Sequence, residues 1–322
     1  MQLPPQLHHA IEQTIARQSN QALTKAATEL SQSYRAPQSQ RGAFMTTEAH
    51  RLAYLAVRMP ATYSANCVVF TETQRLLADK NITSLLDMGA GPGTASWSAT
   101  QTLPTLQNIT LIERDANLIK IGKSLASEAE NTLLKNANWL QKDLTQTQSF
   151  PTHDLVISSY ALNELPPSLV RHVLQAAWEA TRIALIVVEP GTMPGFHLIR
   201  QLRDDLINLG GHIISPCPHQ NVCPLPTDDW CHFAQRVNRS ALHRHLKVGH
   251  LGYEDEKFSY IIASKTPLPL PLSRVIRHPI RRPGNTQLQL CTQEGLQSLT
   301  VTRSDKTNWK RVRKTNWGDI WS

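Results

Sequence analysis

The chain has no long apolar run. Its longest, Ile183 to Val188, is the length of one strand and far below the roughly 20 residues that a bilayer-spanning helix needs. No transmembrane helix is therefore expected. The residues from Met1 to Asn20 do not resemble a secretory signal, because Pro4, Pro5, His8, His9 and Glu12 interrupt them. They do not form an Arg-rich, acid-poor leader either, so the expected location is a bacterial cytoplasm rather than a mitochondrial matrix. In a reducing compartment disulfides are not expected, and thiols favour metal binding or catalysis. The chain also lacks the C-x-x-C knuckle of zinc ribbons, the C-x-x-x-C-x-x-C arrangement of radical iron–sulfur chemistry, and any internal repeat.

The 322 residues suffice for one large domain with appendages or for two domains, and 40% hydrophobic content is ordinary for a globular protein. The net charge of +8 is a property of the tail. From Lys265 onward eleven Lys and Arg face only Glu294, Asp305 and Asp319, and the rest of the chain is balanced. Lys306, Lys310, Arg311, Arg313 and Lys314 alternate with Trp309, Trp317 and Trp321. Cations neutralise phosphates and flat aromatics can stack on unpaired bases, so RNA is the expected partner. The alternative is a solvated basic face with tryptophans packed beneath it.

Apolar periodicity predicts an amphipathic helix from Leu7 to Tyr34, a break from Pro37 to Gly42, and a second helical stretch from Thr47 to about Leu77 interrupted at Pro60. Residues 1–80 thus read as a helical N-terminal region, with Cys67 an inert core thiol. From Asn81 short apolar runs alternate with helical segments. Strands are expected at Ile82–Met88, Ile109–Glu113, Trp139–Leu140, Leu155–Ser159, Ile183–Val188 and Phe258–Ala263. That alternation implies an α/β fold whose parallel, doubly wound sheet is covered on both faces, spanning residues 81–265. A long cysteine-rich insert occupies 210–257, and Glu254 to Lys257 are expected to form charged pairs before the last strand. After the proline-rich run from Thr266 to Leu272, residues 266–322 read as a small basic β module, with a hairpin around Gln293 to Gly295.

The segment L-L-D-M-G-A-G-P-G-T, Leu85 to Thr94, joins the first strand to its helix. Gly89, Gly91 and Gly93 let backbone approach a ligand, and Asp87 ends the strand where a carboxylate can reach an amine. Glu113 closes the next strand, where it can accept both hydroxyls of a ribose. The spacing does not match G-x-G-x-x-G and resembles instead the first motif of class I S-adenosylmethionine-dependent methyltransferases. That similarity implies an S-adenosylmethionine site formed by Asp87, Gly89, Ala90, Gly91, Gly93, Glu113, Asp143 and Ser158, with Asp143 at the adenine. The fourth strand ends S-S-Y-A-L-N-E-L, which departs from the D/N-P-P-Y/F of enzymes that methylate exocyclic base nitrogens. Tyr160, Asn163 and Glu164 are the candidate catalytic residues; Asn163 and Glu164 equally suit a helix cap before Pro166.

Cys217, Cys223 and Cys231 crowd into fifteen residues, with five and then seven residues between them, and Cys291 lies sixty residues further on. This spacing suits a core larger than one ion, such as a 4Fe-4S cluster, while zinc and plain structural thiols remain alternatives. His219 and His232 flank the set as outer-shell or structural groups.

D-M-G-A-G-P-G-T, S-Y-A-L-N-E-L, V-V-E-P-G-T, C-P-H, D-D-W-C-H-F, Y-E-D-E-K-F-S-Y, a late W-G-D and R-M-P-A-T-Y at Arg58 together resemble one family. It is the mitochondrial ribosomal small-subunit assembly methyltransferase-like family, with its bacterial relatives. The resemblance implies a methyltransferase-like fold, association with small-subunit ribosomal RNA, and a 4Fe-4S cluster on Cys217, Cys223, Cys231 and Cys291. Two classes are open: an RNA methyltransferase, or a non-catalytic rRNA-binding assembly factor. A monomer is expected in either case.

Overall fold

The computed structural model describes residues 2–16, 18–35, 45–246 and 251–322. The expected break from Pro37 to Gly42 lies outside the described residues. Four helices come first: α1 (Pro5–Ile15), α2 (Asn20–Arg35), α3 (Glu48–Val57) and α4 (Met59–Leu76). The single helix expected from Leu7 to Tyr34 is two. Ser19 accepts the Ala22 amide at 3.3 Å, and this serine turn competes with helix continuation just where α2 begins. Thr47 caps α3 through the His50 amide at 3.2 Å, and Pro60 falls in the first turn of α4, where its missing N–H costs nothing. α4 buries eleven of its residues, many of them small (Ala61, Ser64, Ala65), so it lies close against the sheet domain instead of coating its surface.

The main sheet comprises β1 (Ser84–Met88), β2 (Asn108–Glu113), β3 (Asn138–Gln141), β4 (His153–Ser159), β5 (Thr181–Pro190), β6 (His212–Ser215), β7 (Phe233–Asn238) and β8 (Tyr253–Ser264). Between them run α5 (Thr94–Thr102), α6 (Ala116–Ser127), the short α7 (Thr132–Lys135), α8 (Pro167–Glu179), α9 (Met193–Asn208) and α10 (Ala241–Leu246). Strand order is β3-β2-β1-β4-β5-β8-β6, with β7 also paired to β8. The strands β1 to β5 are parallel, and successive residues enter opposite cores: Leu85 joins the helices of the first half, Leu86 packs toward α8 and α9. This is the doubly wound Rossmann-like sheet of class I methyltransferases, with a switch point between β1 and β4.

Two expectations about this sheet change. It is not wholly parallel, because β8 runs antiparallel to β5, β6 and β7. The stretch 210–257 is also not a loop insert throughout, since β6 and β7 are sheet strands. β8 starts at Tyr253 rather than Phe258, so the charged Glu254–Lys257 run lies within the strand. Each of its acids is paired there: Glu254 with Arg239 at 3.0 Å, Asp255 with Arg236 at 2.9 Å, and Glu256 with Arg58 at 3.0 Å.

A second sheet is built from β9 (Ser273–Val275), β10 (Ile280–Arg282), β11 (Asn285–Thr292), β12 (Gly295–Thr302) and β13 (Ile320–Trp321), with α11 (Lys306–Val312) before the last strand. β11 alternates strictly: Leu288 and Leu290 enter a small core with Val275, Val301 and Val312, so Cys291 points to the opposite face. Arg274 ties this sheet to the rest. Buried on β9, it donates to the carbonyls of Pro216 at 2.6 Å and Gly318 at 2.9 Å, and to Glu72 of α4 at 3.0 Å.

Candidate functional site

A cavity opens at the carboxyl ends of β1 and β4, where the strand order reverses and the loops diverge. The turn after β1 needs glycine for different reasons at different positions. Gly89 has φ +70°, and a Cβ there would stand 2.5 Å from the Ala161 Cβ. Gly91 has φ +55° and a Cβ would meet nothing within 4 Å, so its missing side chain leaves the cavity open. Gly93 has φ +87° and caps α5 behind the cavity, near Trp139.

Asp87, Gly89, Ala90, Gly91, Glu113 and Asp143 all line this cavity; Gly93 and Ser158 do not. Ser158 is buried at the β1–β4 pairing and its neighbour Ser159 faces the cavity instead. Glu113 has one oxygen on the Gly91 amide at 2.9 Å and the other on the Arg114 and Asp115 amides at 2.8 and 2.9 Å. The oxygen on Gly91 keeps a free lone pair, so the carboxylate both fastens the glycine turn and can accept a ligand hydroxyl. Asp87 is buried and accepts from the Ser96 hydroxyl at 2.8 Å and its amide at 3.1 Å. Burial pushes it up to about 7 against the pull of Ser96. The Asp143 carboxylate caps a turn through Thr145, whose hydrogen bonds hold its pKa below the ordinary value.

The candidate catalytic residues meet different fates. Tyr160 lines the cavity in a left-handed conformation, φ +58°, and gives its hydroxyl to Glu256 at 3.0 Å. Arg58 grips the same carboxylate with two nitrogens, at 3.0 and 3.1 Å. Asn163 is buried away from the cavity, with its amide and side chain both on Glu189, itself wholly buried. Glu164 lines the cavity. Neither Asn163 nor Glu164 caps α8, whose N-cap is Pro166 with no side-chain cap. Arg58 and Glu256 were missed as site-supporting residues, although both lie in the motifs R-M-P-A-T-Y and Y-E-D-E-K-F.

A second cavity is lined by Cys217, Cys223, Cys231 and Cys291, brought from the stretch after β6, the approach to β7, and β11. Arg203 and His219 share its wall, and Phe196 and Leu225 shield it. Burial raises the Cys217 thiol against the opposing charge of Arg203, and burial with the neighbouring thiolates pushes Cys291 up to about 12. Among the described residues no three His, Cys, Asp or Glu side chains stand close enough to hold a single metal ion. Zinc at about 2.3 Å from each sulfur needs a tighter set than the described residues form. His219 Nε2 lies 3.5 Å from the Cys291 sulfur; His232 instead stacks on Trp230, with ring centroids 5.3 Å apart.

The tail tryptophans are not stacking platforms. Trp321 is buried beneath the Arg311 guanidinium at 4.5 Å, Trp309 packs on the small core, and Trp317 is edge-on to His232 and His278. Lys306, Lys310, Arg313 and Lys314 remain exposed, so the cations form a solvated basic face while the tryptophans are packed.

Fold and glycine-turn cavity together define a class I methyltransferase-like protein. A family profile described as "Mitochondrial small ribosomal subunit Rsm22" matches residues 48–322, and the chain belongs to that family. It is 26% identical over 294 residues to "Ribosome assembly protein METTL17, mitochondrial" of Homo sapiens, covering 85% of this chain and 63% of that one. It is 24% identical over 326 residues to "Rsm22-cox11 tandem protein 2, mitochondrial" of Schizosaccharomyces pombe, covering 85% of this chain and 43% of that one. The chain thus spans less than two thirds of the length of these relatives. Among solved structures it resembles a magnesium protoporphyrin IX methyltransferase from Synechocystis PCC 6803 with bound S-adenosylmethionine, at 13% identity and TM-score 0.42, covering 75% of this chain and 97% of that one.

The expected bacterial cytoplasmic location is overturned, because the family description and the matched relatives are mitochondrial. Residues Pro5–Ile15 form a helix with Leu7, Ala10, Ile11 and Ile15 in the core, so their composition answers to packing and does not report location. As expected, no described helix is long and apolar enough to cross a membrane.

Proposed function

We propose that this protein is a small-subunit ribosome assembly factor that binds S-adenosylmethionine at the β1/β4 crevice, carries a 4Fe-4S cluster on Cys217, Cys223, Cys231 and Cys291, and contacts ribosomal RNA through the basic face of its C-terminal sheet. The observation that carries the reading is the convergence of four thiols from two separate parts of the chain on one cavity. Family membership and the name of the human relative support the assembly role. When bound, the cluster supplies a rigid multi-thiolate joint; this chain's part is to close it between the stretch after β6 and β11 of the basic sheet. The entropic cost of closing so long a loop is met once and then holds the RNA-facing sheet in place.

At the first cavity Gly91 leaves room for the ligand, Glu113 receives its hydroxyls and Asp143 stands at the far side. The cofactor supplies an activated methyl group. Nearby, the Tyr160 hydroxyl and the Asn163 amide are already committed to buried carboxylates, which favours a second reading in which the cofactor is a stabilising ligand and no methyl is transferred.

The test replaces Cys291 with Ser in protein isolated anaerobically, with iron, sulfide, visible absorbance and RNA affinity measured. The reading expects cluster loss together with weaker RNA binding, and unchanged values for both would sink it. Calorimetry with S-adenosylmethionine then decides whether the first cavity binds it, and a methyl-transfer assay on immature small subunits separates the two readings.

A further inference from the structure

Arg203 of α9 is 3% exposed, and its partners leave a charge to be explained. Its Nη2 donates to the carbonyls of His219 at 3.0 Å and Asn221 at 2.7 Å, clamping the loop that follows Cys217. Its acidic contact is Asp204 at 2.9 Å, which is half exposed and screened by water. Its Nε is buried without an acceptor. Burying a guanidinium in this way costs several kcal/mol unless negative charge stands nearby. The cavity it lines holds the sulfurs of Cys217, Cys223, Cys231 and Cys291, which carry negative charge once they ligate a metal core. On the same clamped loop, the His219 ring is 5% exposed and aims Nε2 at the Cys291 sulfur at 3.5 Å. A thiolate there accepts a hydrogen bond when the imidazole carries its proton on Nε2.

We propose that Arg203 and His219 are positioning residues of the cysteine site, holding Cys217 and Cys291 as hydrogen-bonded thiolates and thereby setting the reduction potential and air lifetime of an iron–sulfur core bound there. This rests on the cluster reading given above. The two act as one unit, since Arg203 fixes the backbone of His219 while facing the other thiol. Donors and positive charge beside the sulfurs stabilise the more reduced, more negative form of a cluster and hold its ligands in place.

The full-length chain, loaded anaerobically with ferrous iron and sulfide, is compared with Arg203→Gln, Arg203→Lys and His219→Gln. Iron content, reduction potential by spectroelectrochemical titration and bleaching in air are read, with circular dichroism as the folding control. Arg203→Gln and His219→Gln are expected to load iron, to shift the potential to more negative values, and to bleach about 10-fold faster. Arg203→Lys, which keeps the charge, restores much of the potential. Variants that load iron and match the wild-type potential and lifetime overturn the proposal. Should Arg203→Gln fail to fold, His219→Gln decides alone, because it leaves the two Arg203 bonds to the loop carbonyls in place. A wild-type chain that takes up no iron removes the cluster reading itself, and the proposal with it.

Discussion

Tyr160 and Glu256 are joined by a hydrogen bond of 3.0 Å across 96 positions of sequence, and the tyrosine holds a left-handed backbone to make it. The bond connects the loop at the carboxyl end of β4 to β8, and through Arg58 to the start of α4. Such strain persists only where the surroundings over-determine it.

Tyr160→Phe is therefore expected to lower stability by about 1.5–3 kcal/mol, the range for losing a hydrogen bond to a charged group. Chemical denaturation reads the loss. S-adenosylmethionine affinity is expected to change by less than about threefold, because the hydroxyl points to Glu256 and is already taken; a stability equal to wild type would deny the tie.

The glycine turn separates folding from binding. Gly89→Ala meets Ala161 at 2.5 Å and a positive φ, so it is expected to cost about 2 kcal/mol or more and to lower the melting temperature. Gly91→Ala has free space and costs about 1 kcal/mol from φ alone, yet places a methyl group in the cavity. Calorimetry should find a folded protein with at least tenfold weaker cofactor binding. Equal effects of the two substitutions on both readouts would contradict the assignment.

Arg274 holds the second sheet to α4 through Glu72. Burial pushes the Glu72 carboxyl up, but the hydrogen bond from Arg75 and the charges of Arg274 and Arg75 outweigh it, leaving the pKa below its ordinary value. A depressed carboxyl contributes stability that is present above its unfolded value of about 4.3 and is lost as pH falls through the folded value. Acid titration below about pH 4.3 is thus expected to weaken docking of the sheet. Arg274→Met, which removes the donor to the buried Pro216 carbonyl and leaves Glu72 with Arg75 and Ser215, should cost about 1–3 kcal/mol and weaken that acid dependence. Limited proteolysis around residues 266–272 checks docking directly.

On the basic face, replacing Lys310, Arg313 and Lys314 with Ala is expected to weaken RNA binding uniformly across sequences. The salt slope should fall by about 0.7–0.9 for each phosphate that is no longer neutralised. Trp309→Ala acts differently, through up to about 3 kcal/mol of lost packing in the small core. Binding titrations at several salt concentrations tell the two apart; an undiminished salt slope in the lysine and arginine variant excludes this face.

Much of the first cavity was legible in the sequence because its chemistry is local. The glycines from Gly89 to Gly93 sit between a strand and a helix, and strand alternation places Glu113 at the end of the neighbouring strand. Ser158 was less legible than its neighbour Ser159, because a shift of one position along a strand moves a side chain to the other face. The role of the tail tryptophans was illegible for a similar reason: composition puts them beside cations and says nothing of which side of α11 and β13 they cover.

Sequence alone determined the α/β alternation, the glycine turn, the location of the positive charge and the crowding of Cys217, Cys223 and Cys231. These follow from periodicity, backbone freedom and spacing, which are properties of neighbours along the chain. Tertiary structure alone decided that β8 runs antiparallel and carries Glu256 to Tyr160 and Arg58, that Asn163 belongs to Glu189, and that Arg203 and Arg274 stand buried around the cysteine site. Burial and long-range pairing fix which partner each charge meets, and partners separated by up to 202 positions, as Arg274 and Glu72 are, leave no periodic trace in the chain.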